Sequence, residues 1–312
     1  MNDAEPSGSD GTSRSTRRAA LRRGGSLAGG AVAATAGCVG REGEASEVRG
    51  DRGDRGERDA SDPPVIAHRG FAAENPENTV AAVEAATAAV DRVELDVRCC
   101  GTGELVAFHD ATLGRVTDAT GRVEETAYDR LAALSVEDSG EPVPTLAAAL
   151  DAVPADAWVM LDLKQRGIAA DALAVAADRD HGLAVAAADP AVLEAVRAAD
   201  PAVPTVYGVR ESVPARVLRP LVPGRLCGVG LPRWAYPPQD AAGTVETATA
   251  LGCAAVSPRY ELCLRTDVVS RARDAGLRLL PWTVGSEREY EAVAGAGVDA
   301  VVSDVARGPS GR

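Results

Sequence analysis

Glu94 and Asp96 stand two residues apart in the run RVELDV, and Asp162 and Lys164 stand two apart in WVMLDLK. In an extended strand, residues two apart share a face. Each pair therefore projects one way, while Leu95 and Leu163 between them project the other. Charges at inward positions are costly unless they are paired or bound to metal. Three convergent carboxylates, Glu94, Asp96 and Asp162, make a hard oxygen donor set suited to Ca2+ or Mg2+. The competing reading is that these carboxylates form ion pairs with Arg69 and Lys164 and hold no metal. His68 ends the run VIAH, and His109 follows LVAF in the same neighbourhood. One histidine among apolar residues is usually a satisfied core group. Two of them beside carboxylates and an Arg–Lys pair read as an acid–base couple. The third histidine, His181 in RDHGLAV, reads as a cap at a helix C-terminus.

These residues need a scaffold that brings distant strand ends together. From Pro64 onward, short apolar runs alternate with Ala-rich helical runs: VIAH, RVELDV, WVMLDLK, LAVAAA, PTVYGV, CAAVSP, RLLPWTV and DAVVSD supply the strands. Apolar runs without period-2 alternation suit parallel strands covered on both faces. Repeated strand–helix units of this kind predict an α/β fold, a closed (β/α)8 TIM barrel. A doubly wound open sheet is the alternative, disfavoured because no Gly-rich loop follows the first strand. RLCGVGLP, Arg225 to Pro232, leaves the strand count open and is taken as part of a loop. In such barrels function gathers at the C-terminal ends of the strands, where His68, Arg69, the two carboxylate-bearing runs and Trp282 all fall.

Composition narrows the partners. The chain has 312 residues, 46% of them hydrophobic but only 3% aromatic, so the core must be built from Ala, Val and Leu. A formal net charge of −13 opposes binding to nucleic acid and leaves no broad basic patch for anionic lipid. The acidity fits either a salt-adapted surface or plain solubility on an Arg- and Ala-rich background. Arg17 and Arg18 precede the apolar stretch Gly24 to Cys38, which is too short to span a membrane comfortably. The segment 1–38 resembles a twin-arginine signal ending in a lipoprotein box, with Thr35 in its usually leucine-like first position. It implies export, cleavage, and a lipid anchor on Cys38 at the extracellular face of the cell membrane. Residues 39–63, charged and Gly-rich, read as a disordered linker, 64–306 as the barrel domain and 307–312 as a flexible tail. The six cysteines show no zinc-finger spacing. Cys99 and Cys100 are adjacent, and the sequence leaves open whether they are free or bridged.

The same residues carry a family resemblance. AHRGFAAENPENT, VELDV, VAFHD, PTLAAAL, LDLK, PWTV and GVDAVVSD, in this order, resemble the glycerophosphodiester phosphodiesterases. The resemblance implies a (β/α)8 barrel with a small insertion after the second strand, here within Ala111 to Pro142. It implies divalent-metal-dependent hydrolysis of glycerophosphodiesters to glycerol phosphate and an alcohol. By it, His68 and His109 are the acid–base pair, Arg69 and Lys164 contact phosphate, and Glu94, Asp96 and Asp162 bind Ca2+ or Mg2+. Glu77 and Asn78 of PENT support the first shell and start the helix, and Trp282 lines the substrate cleft. Asp162 departs from the family's usual glutamate, Thr102 from a common aspartate, and Gly285 from a frequent asparagine.

Lys164 is the only lysine in a chain whose other fixed cations are all arginine. An ammonium is a compact point charge, whereas a guanidinium is a wide planar fork. Arg69 would supply fork-like recognition of a phosphodiester and Lys164 the point charge in a narrow mouth. One histidine would deprotonate the attacking hydroxyl and the other protonate the leaving alcohol, the order being open. Attack by the substrate's own hydroxyl would give a cyclic phosphate that water then opens. Two alternatives compete with this activity: a phospholipase-type phosphodiesterase acting on intact lipid, and a lipid-anchored binding protein without catalysis.

Overall fold

The computed structural model describes residues 62–209 and 241–306. Strands run in the order β1 (Val65–His68), β2 (Arg92–Cys99), β3 (Leu105–Ala107), β4 (Trp158–Leu163), β5 (Gly182–Ala187), β6 (Thr205–Gly208), β7 (Ala255–Ser257), β8 (Arg278–Leu279) and β9 (Val301–Ser303). From β1 to β8 consecutive strands pair in parallel, leaving aside β3, which is antiparallel to β2 and hangs off the main path. β1 pairs with β9, Ala67 opposite Ser303. Backbone bonds also cross from β9 to the segment around β8: Val302 N to Pro281 O at 3.0 Å and Val284 N to Val302 O at 3.1 Å. The eight parallel strands thus close into a (β/α)8 barrel, and no reversal of strand order leaves room for the doubly wound alternative. RLCGVGLP lies outside the described residues. So do the expected signal, the tail, and the linker except for Asp62 and Pro63.

Helices α1 (Val80–Ala89), α2 (Tyr128–Leu131), α3 (Leu146–Asp151), α4 (Ala169–Ala177), α5 (Pro190–Ala199), α6 (Ala241–Ala250), α7 (Tyr260–Arg265), α8 (Val268–Asp274) and α9 (Glu287–Ala294) belong to the described part. Their starts follow local chemistry. Thr79, Thr145, Asp189 and Ser286 each accept a hydrogen bond from a backbone N–H of the first turn, and Pro190 occupies the first turn of α5. The helix after PENT is therefore capped by Thr79, not begun by Asn78, whose side chain turns inward instead. His181 does not cap α4 either. Its Nε2 meets the carbonyl oxygen of Val153, beyond the end of α3, at 3.0 Å.

Two apolar layers separate by strand parity. Val65, Ala67, Val93, Leu95, Val97, Leu161 and Leu163 point outward and pack with helix residues such as Val83, Leu146, Ala172 and Val192. Ile66, Met160, Ala184, Ala186, Val206, Ala255, Leu280, Ala300 and Val302 fill the barrel axis. Burying one Val, Leu, Ile or Met side chain stabilises by about 1.5–3 kcal/mol, and four alanines keep the axis narrow. The expected insertion carries α2 and its own small core, where Leu113, Val116, Val123, Leu131 and Val136 pack against Val106 and Phe108.

Candidate active site

Parity also builds the site. Moving two residues along a strand keeps the same face. From the axial Ile66 this step gives His68, from Met160 it gives Asp162 and then Lys164, from Leu280 it gives Trp282, and from Val302 it gives Asp304. Each strand thus passes from an apolar plug to a polar group at its C-terminal end. Strand register then sets the neighbours: His68 lies opposite Glu94, and Asp96 opposite Asp162. Carboxylate oxygens of Glu94, Asp96 and Asp162 all fall within 4.8 Å of one another.

The ion pairing left open by the sequence is present for two of the trio, Asp96 and Asp162. Lys164 Nζ lies 2.7 Å from Asp96 Oδ1 and donates to Asp162 Oδ2. Arg69 Nε lies 2.9 Å from Asp96 Oδ2. Yet Asp96 Oδ1 and Arg69 Nε are buried without a partner in hydrogen-bond geometry, so these two approaches are charge contacts only. Burial raises the Glu94 carboxyl well above its usual range, helped by the negative charge of Asp96. Burial acts on Asp96 in the same direction, but Arg69, Lys164, His109 and His68 outweigh it and hold Asp96 well below the usual range. Burial would lower the Arg69 and Lys164 pKa values, yet the surrounding carboxylates raise both, so each stays charged. An orphaned carboxylate oxygen inside a cluster of hard oxygen donors fits a divalent cation, and Lys164 and Arg69 share its neighbourhood.

Both candidate acid–base groups are anchored in the same way. His68 Nδ1 meets Asp304 Oδ1 at 2.6 Å, and His109 Nδ1 meets Asp110 Oδ1 at 2.6 Å. An ionised carboxylate only accepts, so each Nδ1 carries its proton and each Nε2 is left for chemistry. His68 Nε2 lies 3.9 Å from Glu94 Oε2. Burial lowers the His68 pKa, with the Asp304 hydrogen bond opposing it, which favours a neutral imidazole at rest. His109 reaches the site because β3 folds back on β2: Phe108 N donates to Asp96 O at 3.0 Å, and Arg98 Nε holds the His109 carbonyl at 2.7 Å.

The remaining expected residues divide into two groups. Asn78 Nδ2 donates to Asp96 Oδ2 at 2.9 Å and its Oδ1 accepts from Asp96 N at 3.1 Å, so it orients a member of the trio. Glu77 accepts from Arg69 Nη1 at 3.1 Å. Trp282 contacts neither imidazole nor trio in this way. Its Nε1 donates to Ser257 O at 2.9 Å, and the Arg259 guanidinium stacks 5.0 Å from the indole. Arg69, Phe71 and Asn78 all adopt positive φ, and the Arg69 N–H of this left-handed turn donates to Glu94 Oε2 at 3.0 Å. Cys99, Cys100, Cys253 and Cys263 are free thiols, and Cys38 lies outside the described residues.

Sequence reasoning missed Asp304, Asp110 and Arg115. The first was legible: Asp304 sits two residues past Val302 at a strand end, the parity that marks His68. The other two belong to the insertion side, where no periodicity exists to place them.

Comparison with known proteins agrees with this geometry. The glycerophosphoryl diester phosphodiesterase family matches residues 68–307. A glycerophosphodiester phosphodiesterase of Caldanaerobacter subterraneus is 25% identical over 248 residues, covering 77% of this chain and 93% of its own length. A phosphodiesterase of Oleispira antarctica, solved in complex with the product sn-glycerol-3-phosphate, superposes with a TM-score of 0.61 at 26% identity, covering 78% of this chain and 93% of that one. The Thermotoga maritima glycerophosphodiester phosphodiesterase shares the fold, with a TM-score of 0.61 at 21% identity over 78% of this chain and 95% of that one. A match that starts at the first strand's histidine and runs past the last strand admits one assignment: the chain belongs to the glycerophosphoryl diester phosphodiesterase family.

Proposed function

We propose that the protein hydrolyses small glycerophosphodiesters to glycerol phosphate and an alcohol, with His68 and His109 as the acid–base pair. The observation that carries this reading is the matched anchoring of both imidazoles: each has a carboxylate on Nδ1 at 2.6 Å, which leaves Nε2 to exchange a proton. Arg69 and Lys164, both held in their charged forms, are suited to neutralising the phosphodiester. One Nε2 takes the proton of the attacking hydroxyl as its oxygen bonds to phosphorus. The other imidazole, protonated on Nε2, gives its proton to the alcohol oxygen as that oxygen's bond to phosphorus breaks. Where the attacking hydroxyl is the substrate's own, water then opens the cyclic phosphate with the two histidine roles reversed. Glu94, Asp96 and Asp162 would hold a divalent cation, Ca2+ or Mg2+. When bound, it supplies Lewis acidity toward a phosphoryl oxygen.

The test is turnover of glycerophosphocholine by the wild type, His68→Ala and His109→Ala, with and without chelator. We expect each variant to lose about 10²–10⁴-fold in kcat, and chelation to abolish turnover until Ca2+ or Mg2+ is restored. Full turnover in both variants would reject the assignment. Among the described residues the large exposed hydrophobic side chain is Leu264, which gives no apolar patch for docking on intact lipid. Comparing phospholipid vesicles with glycerophosphocholine separates the two substrate classes, and we expect the vesicles to be the poor substrate.

The signal read at residues 1–38 extends the proposal to location. Export and lipidation of Cys38 would hold the barrel at the extracellular face of the membrane on the 39–63 tether. Labelled fatty acid should enter the wild type and not Cys38→Ser. Absence of label from both removes the anchor.

A further inference from the structure

Arg115 lies in the insertion between Leu113 and Val116, both buried in the insertion's own core. Its guanidinium reaches back to the barrel. Nη1 donates to Glu77 Oε2 at 2.7 Å and Nη2 to Glu77 Oε1 at 2.6 Å, while Nε donates to Asp110 Oδ2. The two carboxylates on this one group each hold a site residue with their remaining capacity. Asp110 Oδ1 takes His109 Nδ1, and Glu77 takes Arg69 Nη1. Arg69 in turn approaches Asp96. Opposite charges therefore alternate from Asp110 through Arg115, Glu77 and Arg69 to Asp96, with the His109 imidazole hydrogen-bonded at the Asp110 end.

We propose that Arg115 is a positioning residue of the reaction: one guanidinium of the insertion sets both the carboxylate that orients His109 and the carboxylate that orients Arg69. The inference rests on reading His109 as an acid–base group. A guanidinium suits the task because its Nε edge and its paired Nη edge serve two carboxylates at once in fixed directions. A lysine ammonium lacks that fork and cannot hold both in the same geometry. The plain alternative is a strut that only fastens the insertion to the barrel. The two differ in what they predict for turnover, because a strut acts on stability and leaves kcat alone.

Kinetics of Arg115→Met, Arg115→Lys, Asp110→Asn and the Arg115→Met/Asp110→Asn double variant decide between them, beside His109→Ala as a reference. We expect Arg115→Met to lose about 10–100-fold in kcat, the size seen when a hydrogen-bond partner that orients a metal-ligating side chain is removed. KM should change less than kcat, because Arg115 stands behind Asp110 and Glu77. Arg115→Lys should recover only part of the loss, and free guanidinium ion at a non-denaturing concentration should raise kcat of Arg115→Met but not of the wild type. The double variant should lose less than the product of the two single losses, because the two substitutions share the path through His109. Wild-type kcat in Arg115→Met, while His109→Ala is inactive, overturns the inference and leaves the proposed function standing. Multiplied losses in the double variant also overturn it. Full activity in His109→Ala overturns the inference together with the reading beneath it.

Discussion

His68 and Asp304 are separated by 236 positions in sequence and meet at 2.6 Å. Closure of the barrel makes this contact: β1 lies beside β9, with Ala67 opposite Ser303, so the residue after each becomes a neighbour. The dyad therefore depends on the last strand docking against the first. Asp304→Asn preserves shape but removes the group that can only accept, and with it control over which imidazole nitrogen carries the proton. We expect kcat to fall by about 10–100-fold with the unfolding midpoint little changed. A kcat within twofold of wild type would show that Asp304 does not orient His68.

Lys164 gives the second prediction. Its ammonium sits between Asp96 and Asp162, which face each other across paired strands. Lys164→Arg keeps the charge but needs more width than a mouth lined by paired strands offers. The variant should fold, by circular dichroism, and lose at least about tenfold in turnover, more than uniform weakening of a surface contact would cause. Lys164→Met removes the counter-charge of a fully buried carboxylate and should cost about 3 kcal/mol in denaturant unfolding. Near-wild-type turnover in Lys164→Arg would leave the lone lysine unexplained.

Gly70 tests the turn that carries Arg69. Its φ is +79°, and a Cβ there would lie 2.7 Å from the backbone carbon and the Cβ of Ala82 in α1. Contact with backbone cannot be relieved by a rotamer change. Gly70→Ala should therefore destabilise by roughly 2–4 kcal/mol and also depress turnover, because the turn delivers the Arg69 N–H to Glu94. An unfolding free energy equal to wild type would mean that α1 shifts without cost.

Acid stability follows from the same network. The His109 hydrogen bond, with Arg115, holds Asp110 well below the usual carboxylate range. Burial raises Glu77, but Arg115 and Arg69 outweigh it, and its net shift is also downward. Folded values below unfolded ones mean that these carboxylates stabilise the fold above an unfolded pKa of about 4. That stability disappears as pH falls through the folded values. Arg115→Met should be less stable than wild type by about 1 kcal/mol at pH 7, a modest amount because the Arg115 side chain is 45% exposed and screened. The gap should narrow toward pH 3, as read by urea unfolding at each pH. A gap that is the same at both ends would exclude Arg115 as the cause of the shifts.

Strands were legible because parallel strands buried on both sides leave unbroken apolar runs, and their spacing placed Glu94, Asp96, Asp162, Lys164 and His68 together. The alternation of Leu95 and Leu163 with the charges showed which side faced in. What escaped were partnerships made by tertiary closure. Glu77 and Arg115 are 38 positions apart, one before a barrel helix and the other in an irregular insertion. His181 has a local appearance that suggests a cap, yet its partner is the carbonyl of Val153, reached only when neighbouring units pack. Competition between capping groups cannot be settled by type alone. Asn78 and Thr79 both favour helix starts, and Asn78 is drawn away by Asp96.

The plug of Ile66, Met160, Leu280 and Val302 has a kinetic corollary. Among the described residues the axis is filled beneath the carboxylates, so reactant and both products meet the site from the same end of the strands. Departure of glycerol phosphate is then a condition for the next arrival, and accumulated product competes with incoming diester for the same entrance.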